Sequence, residues 1–339
     1  MSAVMDINLE AIAQAYETAE RRYARRVVIC AGTGCMAGGA LKVFEALRTQ
    51  AAAAGIPIEV RLDFEDEGPK GTLLTKSGCQ GFCQKGPLLT IEPDGLLYCA
   101  VQPSDIPEIL ETTFRQGKPV ERLLYRDPST DRICRGHGDI PFYTRQQRTV
   151  LAACGSLDPE DVREYIARGG YQGARKAILE MTDQEVCQTL IESGLRGRGG
   201  GGFPTGRKWE LTRLQPQGKK YVICNADEGD PGAFMDRSVM EGNPHAVIEG
   251  MMIAAKAIGA DEGYIYVRAE YPLAVQRIRR AIEAAEAIGL LGSNLFGSDF
   301  SFRLHVKEGA GAFVCGEETA LMTSIEGKRG MPMPKPPFP

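Results

Sequence analysis

From residue 25 onward, short β-branched runs alternate with helix-patterned stretches, and few folds satisfy that alternation. "RRVVIC" (25–30) reads as a strand. "GGALKVFEALRTQAAAAG" (38–55) has the apolar spacing of a helix closed by Gly55, and "IPIEVRLDF" (56–64) reads as a second strand. "LLTIEPDGLLYCAV" is patterned as a hairpin about Asp94-Gly95, and "DIPEILETTF" (105–114) predicts a closing helix. Residues 117–157, rich in Pro, Gly, Arg and Asp, read as an ordered connector, after which two or three helices lead to residue 193. "KKYVICNADEG" (219–229), "EGYIYVRAE" (262–270) and "FSFRLHVKEG" (300–309) then read as strands. Helices are predicted at 243–260 and 271–289, with another in "GEETALMTSIEG" (316–327). The expectation is an α/β fold with a parallel, doubly wound sheet. It divides the chain into an N-terminal helix (1–24), a front α/β unit (25–116), the connector (117–157) and a second α/β domain (158–339). The last residues, "MPMPKPPFP", suit neither a helix nor a central strand, so the second domain is expected to be incomplete and the sequence a piece of a longer protein.

Composition narrows the function classes. At 43% hydrophobic and 25% charged the chain has the balance of a globular protein, and a net charge of −4 leaves no electrostatic footprint for nucleic acid. No apolar run reaches the roughly 20 residues that span a bilayer. The start, "MSAVMDINLEAIAQAYETAERR", reads as an exposed amphipathic helix and lacks the apolar stretch of a signal peptide. A cytoplasmic location follows as the expectation, with the ten cysteines held as thiols. The basic cluster "RRYARR" (21–26) reads as a solvated face or a docking surface.

Four of those cysteines form two pairs: Cys30 and Cys35 in "CAGTGC", and Cys79 and Cys83 in "CQGFC". Each pair sits in a glycine-rich loop after a strand-like run. Zinc sites favour tighter C-x2-C spacing, whereas a [2Fe–2S] cluster takes two thiolates on each iron and suits two separate pairs. The bland reading, four small buried hydrophobes, explains a lone cysteine better than two paired loops. It is kept for Cys99, Cys134, Cys154, Cys187, Cys224 and Cys315.

The densest glycine run is "GLRGRGGGGFPTGRKW" (194–209), with seven glycines in sixteen positions. A flexible spacer would be Gly/Ser-rich and would carry no such basic and aromatic tail. A loop bringing bare backbone N–H groups to phosphates does need such glycines. The run follows a predicted helix rather than a strand, and Lys208 precedes Trp209, so neither the dinucleotide fingerprint nor the P-loop pattern is met. Acidic turns at strand ends, "NADEGDPGAF" (225–234) and "GAGAFVCGEETA" (309–320), add acceptors for sugar hydroxyls and ring N–H groups. Singly, Glu317 and Glu318 read as first-turn residues near a helix dipole. Together with the loop they describe a nucleotide site with redox chemistry.

These motifs, with "CNADEGDPGAFMDR" and "YIYVRAEYPLAV", resemble the NADH-binding, flavin-carrying subunit of respiratory complex I and its soluble relatives over roughly residues 138–339. The front domain resembles the thioredoxin-like [2Fe–2S] ferredoxins. Their fusion resembles the beta subunit of soluble NAD-linked hydrogenases, electron-bifurcating ones included. The resemblance implies a thioredoxin-like domain followed by a Rossmann-like FMN/NADH-binding domain. It implies FMN on Gly197, Arg198, Gly199 and Lys208, with Asn225, Asp227, Glu228, Phe313, Gly316 and Glu317 around it. For NAD(H) it implies Gly200, Phe203, Asp230, Glu318, Lys335 and Phe338. It also implies a [4Fe–4S] cluster beyond residue 339. Three positions depart from the family: Phe313 stands in place of a tyrosine, Leu211 where an aromatic is common, and Met333 in place of an arginine.

The expected function is a diaphorase module that exchanges a hydride between NAD(H) and FMN and passes single electrons to iron–sulfur centres, with no catalytic side chain named. Its expected partners are a hydrogenase-type catalytic subunit and a small [2Fe–2S] subunit, without nucleic acid or a membrane span. Formate dehydrogenase, complex I-type and aromatic-ring reductase modules remain open, as does a non-enzymatic nucleotide-sensing scaffold.

Overall fold

A computed structural model describes residues 7–216, 218–230, 232–336, 338 and 339. The predicted N-terminal helix begins at residue 1, and its first six positions lie outside the described residues. The chain divides into two compact units, one of Ala11–Pro159 with Glu241–Asn243, the other built mainly from Glu160–Met240 and Pro244–Pro339.

The first helix, α1 (Leu9–Glu20), buries Leu9, Tyr16 and Ala19. It leads to β1 (Tyr23–Cys30), α2 (Thr33–Ala37), α3 (Ala40–Ala53), β2 (Ile58–Glu59) and β3 (Lys70–Ser77). The hairpin β4 (Leu89–Glu92) and β5 (Leu96–Tyr98) follows, then α4 (Ile106–Ile109), which continues as a π-helical turn to Arg115. The five-stranded sheet runs β2-β3-β1-β4-β5, with β1 parallel to β3 and antiparallel to β4. In β1, Val27 to Cys30 are all buried, as expected of a strand covered on both faces. Val43 and Leu47 of α3 and Ile106 and Ile109 of α4 share its core.

Two sequence expectations change here. "IPIEVRLDF" contributes only the short edge strand β2, and the long parallel partner of β1 is β3, "KGTLLTKS". Its buried core is Thr72, Leu73, Leu74 and Thr75, and threonines and flanking lysines hide a buried strand from an apolar pattern. Of the basic run 21–26, read as a solvated face or a docking surface, Arg21 is exposed, whereas Arg25 and Arg26 are built into the fold. Arg25 pairs with Asp94 at 3.2 Å and lies over the Phe114 ring, and Arg26 pairs with Glu20 at 2.9 Å. Beyond Arg115 the chain makes a short antiparallel pair, β6 (Tyr125–Arg126) with β7 (Ile133–Cys134), and the turn of helix α5 (Pro141–Thr144).

The second unit opens with three helices, α6 (Val162–Ala167), α7 (Gln172–Glu180) and α8 (Asp183–Ser193). Thr182 and Glu185 cap α8 reciprocally, and Gly194 ends it in the left-handed region. α9 (Thr205–Arg213), β8 (Tyr221–Ala226), α10 (Met235–Gly242), α11 (Pro244–Ile258), β9 (Glu262–Arg268), α12 (Pro272–Ala287), β10 (Arg303–Gly309) and α13 (Glu318–Ile325) complete it. The three strands are parallel in the order β10-β9-β8. This is the mixed α/β arrangement that the alternation predicts. Ile248, Met252 and Ala255 of α11 and Ile265 and Val267 of β9 are fully buried. In register, Ala226 lies opposite Val267 and Gly309 opposite Arg268, so the strands finish level. The loops that leave β8 and β10 therefore line one edge, where α/β sheets bind ligands.

Candidate functional sites

The four front cysteines converge. Cys30 ends β1, Cys35 lies in α2, and Cys79 and Cys83 flank the loop after β3. The sulfurs of Cys79 and Cys83 are 3.5 Å apart, the Gly81 N–H donates to Cys79 Sγ at 3.3 Å, and Cys30 Sγ–H donates to the Gly78 carbonyl. Hydrogen bonds to Cys35 and Cys79, and then burial, push the Cys30 thiol far up, while its bond to Cys30 holds Cys35 down. Cys79 likewise pushes Cys83 up. Four thiols so close cannot all ionise unless cations lie among them. Among the described residues no three His, Cys, Asp or Glu side chains are placed to hold one metal ion. A [2Fe–2S] cluster asks for something else, a pair of thiolates on each of two irons. The backbone around the thiols is tight enough to require glycine: a Cβ on Gly32 would lie 2.7 Å from Cys79 Cβ, and one on Gly86 2.6 Å from Cys35 Sγ. The donor set and its cradle fit such a cluster.

The glycine loop of the second unit is a pinched turn. The Gly197 N–H donates to the Phe203 carbonyl and the Thr205 N–H to the Leu195 carbonyl, each at 2.9 Å, and Arg196 closes the neck on the Gly202 carbonyl. At the tip, a Cβ on any of Gly199 to Gly202 would meet no atom within 4 Å. Gly200, at φ +100°, occupies backbone space that favours glycine. Among the described residues no atom stands where a Gly199 side chain would go, which leaves that face open to a ligand.

Lys208 sits on α9 rather than in the loop, and its Nζ meets Glu318 Oε2 at 3.3 Å. Lys335 bonds the same Glu318 and reaches Glu317 Oε1 at 3.1 Å. Glu317 caps α13, accepting from the Thr319 and Ala320 N–H groups at 2.9 and 3.1 Å. Its carboxyl is held down at about 2, chiefly by the Thr319 hydroxyl. Lys335 also holds Glu318 low, with Lys208 adding to the effect. Asn225 Nδ2 donates to the Gly316 carbonyl at 2.9 Å and ties the two strand-end loops together. Lys208, Asn225, Gly316, Glu317, Glu318 and Lys335 thus share one edge.

Two acidic residues of the "NADEGD" turn have opposite fates. Glu228 accepts from the N–H groups of Met235, Asp236 and Arg237 at 2.6 to 3.2 Å, so it serves as the cap of α10. Asp227 is 9% exposed, close beneath Gly316, and among the described residues neither carboxylate oxygen accepts a hydrogen bond. Burial raises its pKa, against the pull of Arg268. Arg198, Phe203, Asp230 and Phe338 stay exposed, and among the described residues no hydrogen bond ties their side chains to the network. Phe313 is 76% exposed and its ring edge lies against Gly229.

The sequence reading missed the brace of this edge. Arg268, at the end of β9, donates to the Glu228 carbonyl at 2.7 Å, to Glu270 at 3.0 Å and to the Gly311 carbonyl at 3.3 Å. One guanidinium therefore spans the loops on either side of the central strand. Its signal was an arginine closing an otherwise apolar run, "YIYVRAE". Thr319 was missed as well; its hydroxyl accepts from the Met333 N–H at 2.8 Å and fixes the proline-rich tail.

Residues 190–339 match the Nuo51 FMN-binding domain. Across 195 residues the chain is 56% identical to the NADP-reducing hydrogenase subunit HndC of Solidesulfovibrio fructosivorans, covering 58% of this chain and 39% of that one. Across 303 residues it is 35% identical to the NAD-reducing hydrogenase HoxS subunit alpha of Cupriavidus necator, covering 86% and 46%. The crystal structure of an NAD+-reducing [NiFe]-hydrogenase in the air-oxidised state aligns with 99% of this chain and 55% of its own, at 25% identity and a TM-score of 0.45. The chain spans less than half the length of these two curated relatives. The Nuo51-type domain carries the glycine loop, the Asp227 turn and the Lys208–Glu318–Lys335 ladder. Among the described residues no helix is long and apolar enough to cross a membrane.

Proposed function

We propose that this chain is the diaphorase module of a multi-subunit oxidoreductase, exchanging a hydride between NAD(H) and FMN and passing single electrons to iron–sulfur centres. Asp227 carries the reading. A buried carboxylate without any donor costs about 1–3 kcal/mol or more, so it calls for a ligand bearing N–H or O–H groups. A flavin bears both, on its ring and on its ribityl chain. When bound, FMN supplies the exchange between two-electron and one-electron chemistry. The protein's residues would bind and orient it: the backbone amides of Arg198, Gly199 and Gly200, on the loop that Gly197 pins at its neck, and the Lys208 ammonium suit a phosphate, and Asn225 and Asp227 suit hydroxyl and ring N–H groups. Glu318 and Lys335, with the exposed rings of Phe203, Phe313 and Phe338, form the side on which a nicotinamide nucleotide would enter. Cys30, Cys35, Cys79 and Cys83 would hold a [2Fe–2S] cluster in a thioredoxin-like front domain. The second unit would be Rossmann-like, and a further [4Fe–4S] cluster would belong to chain beyond residue 339. The match to hydrogenase subunits supports a cytoplasmic, NAD-linked hydrogenase as the assembly, with a catalytic subunit and a small [2Fe–2S] subunit as partners.

Purification of the full-length protein without oxygen, followed by flavin and iron analysis and NADH-driven dye reduction, tests this. FMN with rapid dye reduction is the expected result. A protein without FMN refutes the reading, and one with FMN but no dye reduction would be a nucleotide-sensing scaffold.

A further inference from the structure

The loop between Cys79 and Cys83 is gripped by a segment whose purpose the cysteines alone do not explain. Phe82 stacks on Phe142 with ring centres 5.0 Å apart, and meets Tyr125 and Tyr143 edge-on at 5.1 and 5.6 Å. The Arg148 guanidinium lies 5.3 Å from the Tyr143 ring centre and donates to the Gln80 carbonyl at 2.8 Å. Gln80, itself buried, donates to Thr90 Oγ1 at 3.2 Å and to the Gly155 carbonyl at 3.3 Å. All three residues between the two cysteines are therefore engaged, since Arg148 also crowds the position a Gly81 Cβ would take.

At the centre of this grip one polar atom is left over. The Tyr143 hydroxyl is buried and, among the described residues, has no hydrogen-bond partner. Its ring meets Phe82, the residue just before Cys83, edge-on, so it belongs to the packing around the cysteine loop, and burial raises the pKa of its hydroxyl. An unpaired buried hydroxyl is costly, and a sulfur acceptor within reach would recover that cost. We propose that Tyr143 is a positioning residue for the iron–sulfur centre, its hydroxyl donating an O–H···S hydrogen bond to that centre while Arg148 holds the ring in place. The proposal rests on the iron–sulfur reading above. Hydrogen bonds to sulfur stabilise the more negative, reduced form, so the bond raises the reduction potential.

Tyr143→Phe keeps the ring and removes the donor alone. In the full-length protein the centre should assemble, show its reduced-state EPR signal, and shift its one-electron equilibrium about tenfold toward the oxidised form, 59 mV by redox titration. Tyr125→Phe, in the same aromatic group, should leave the midpoint unmoved. An unchanged midpoint in Tyr143→Phe, or an equal fall in both variants, overturns the assignment. If Tyr143→Phe loses the centre, Tyr143→3,5-difluorotyrosine decides: this stronger donor should raise the midpoint, and no rise overturns the proposal. The unaltered protein separates the two readings. Without a [2Fe–2S] signal there, the iron–sulfur reading itself fails.

Discussion

Lys208 is held by Glu318, and a bound phosphate would have to compete with that carboxylate for the ammonium. The pair is well exposed and contributes little to stability. Its use is to hold a charge beside the glycine loop. Charge-assisted hydrogen bonds to phosphate or ribityl oxygens are worth about 1.5–3 kcal/mol, so Lys208→Met should weaken FMN binding roughly ten- to a hundredfold with little change in melting temperature. Arg207 pairs with Glu210, and Arg213 lies near Asp183 at 3.8 Å, so their methionine variants should alter affinity far less. FMN titration into the three stripped proteins measures this, and equal losses would mean a diffuse basic field. Lys208 stood out in the sequence because it follows the glycines. Glu228 shows the limit of such reading: in the string it is another carboxylate beside Asp227, yet it caps α10. Only the course of the backbone after the turn tells these two apart.

Among the elements, the glycine loop and α9 are one continuous stretch in which glycines do two different things. Gly199 faces open space, whereas a Cβ on Gly206 would lie 2.6 Å from the Ile191 nitrogen and 2.8 Å from the Cys187 carbonyl, both in α8. Gly199→Val should therefore leave the flavin-free fold intact but empty the flavin site, because the added side chain reaches only the ligand. Gly206→Val should push α8 and α9 apart at about 1–3 kcal/mol, the usual range for overpacking, and lower the melting temperature by several degrees. Thermal melts and flavin content on both variants test the division. Full flavin occupancy in Gly199→Val would make the loop a spacer. Neither role is legible in the motif, where both positions are simply glycine. The contrast follows from which one faces a neighbouring helix.

At the scale of the whole molecule, each compact unit carries a chemical feature that should control a separate measurement. In the second unit His245 is fully buried, shares a 2.8 Å hydrogen bond with the Tyr171 hydroxyl, and is pushed down to about 3 by burial. An unfolded histidine titrates near 6.5, so between roughly pH 6.5 and 3 the unfolded chain binds the extra proton. Stability from this residue is full above about pH 6.5 and falls as the pH drops through that window, by at most about 1.4 kcal/mol per pH unit. His245→Asn keeps a polar partner for Tyr171 and should flatten the acid limb in urea melts between pH 4 and 7. An unchanged slope would assign the acid sensitivity elsewhere. In the other unit, Cys79→Ser should abolish the reduced [2Fe–2S] EPR signal while flavin content stays normal, and Cys99→Ser should leave both intact. A normal signal in Cys79→Ser would remove that cysteine from the ligand set.

By itself the sequence determined the local features. The alternation marked most of the strands and helices, the paired spacing marked Cys30, Cys35, Cys79 and Cys83, and the glycine run marked the loop before α9. Each is a pattern over neighbouring residues, and helix periodicity, turn chemistry and ligand spacing act over such distances. The tertiary structure decided what depends on partners far along the chain. It made "KGTLLTKS" the central partner of β1, because strand pairing can rescue a run whose threonines and lysines argue against burial. It left Asp227 buried without a donor among the described residues while giving Glu228 three, and placed Arg268 across two loops that lie some forty residues from it on either side. It also left the Tyr143 hydroxyl buried and, among the described residues, without a partner, in the aromatic group that packs on the loop after β3. Burial and hydrogen-bond satisfaction are properties of the packed chain, and no window of sequence contains them.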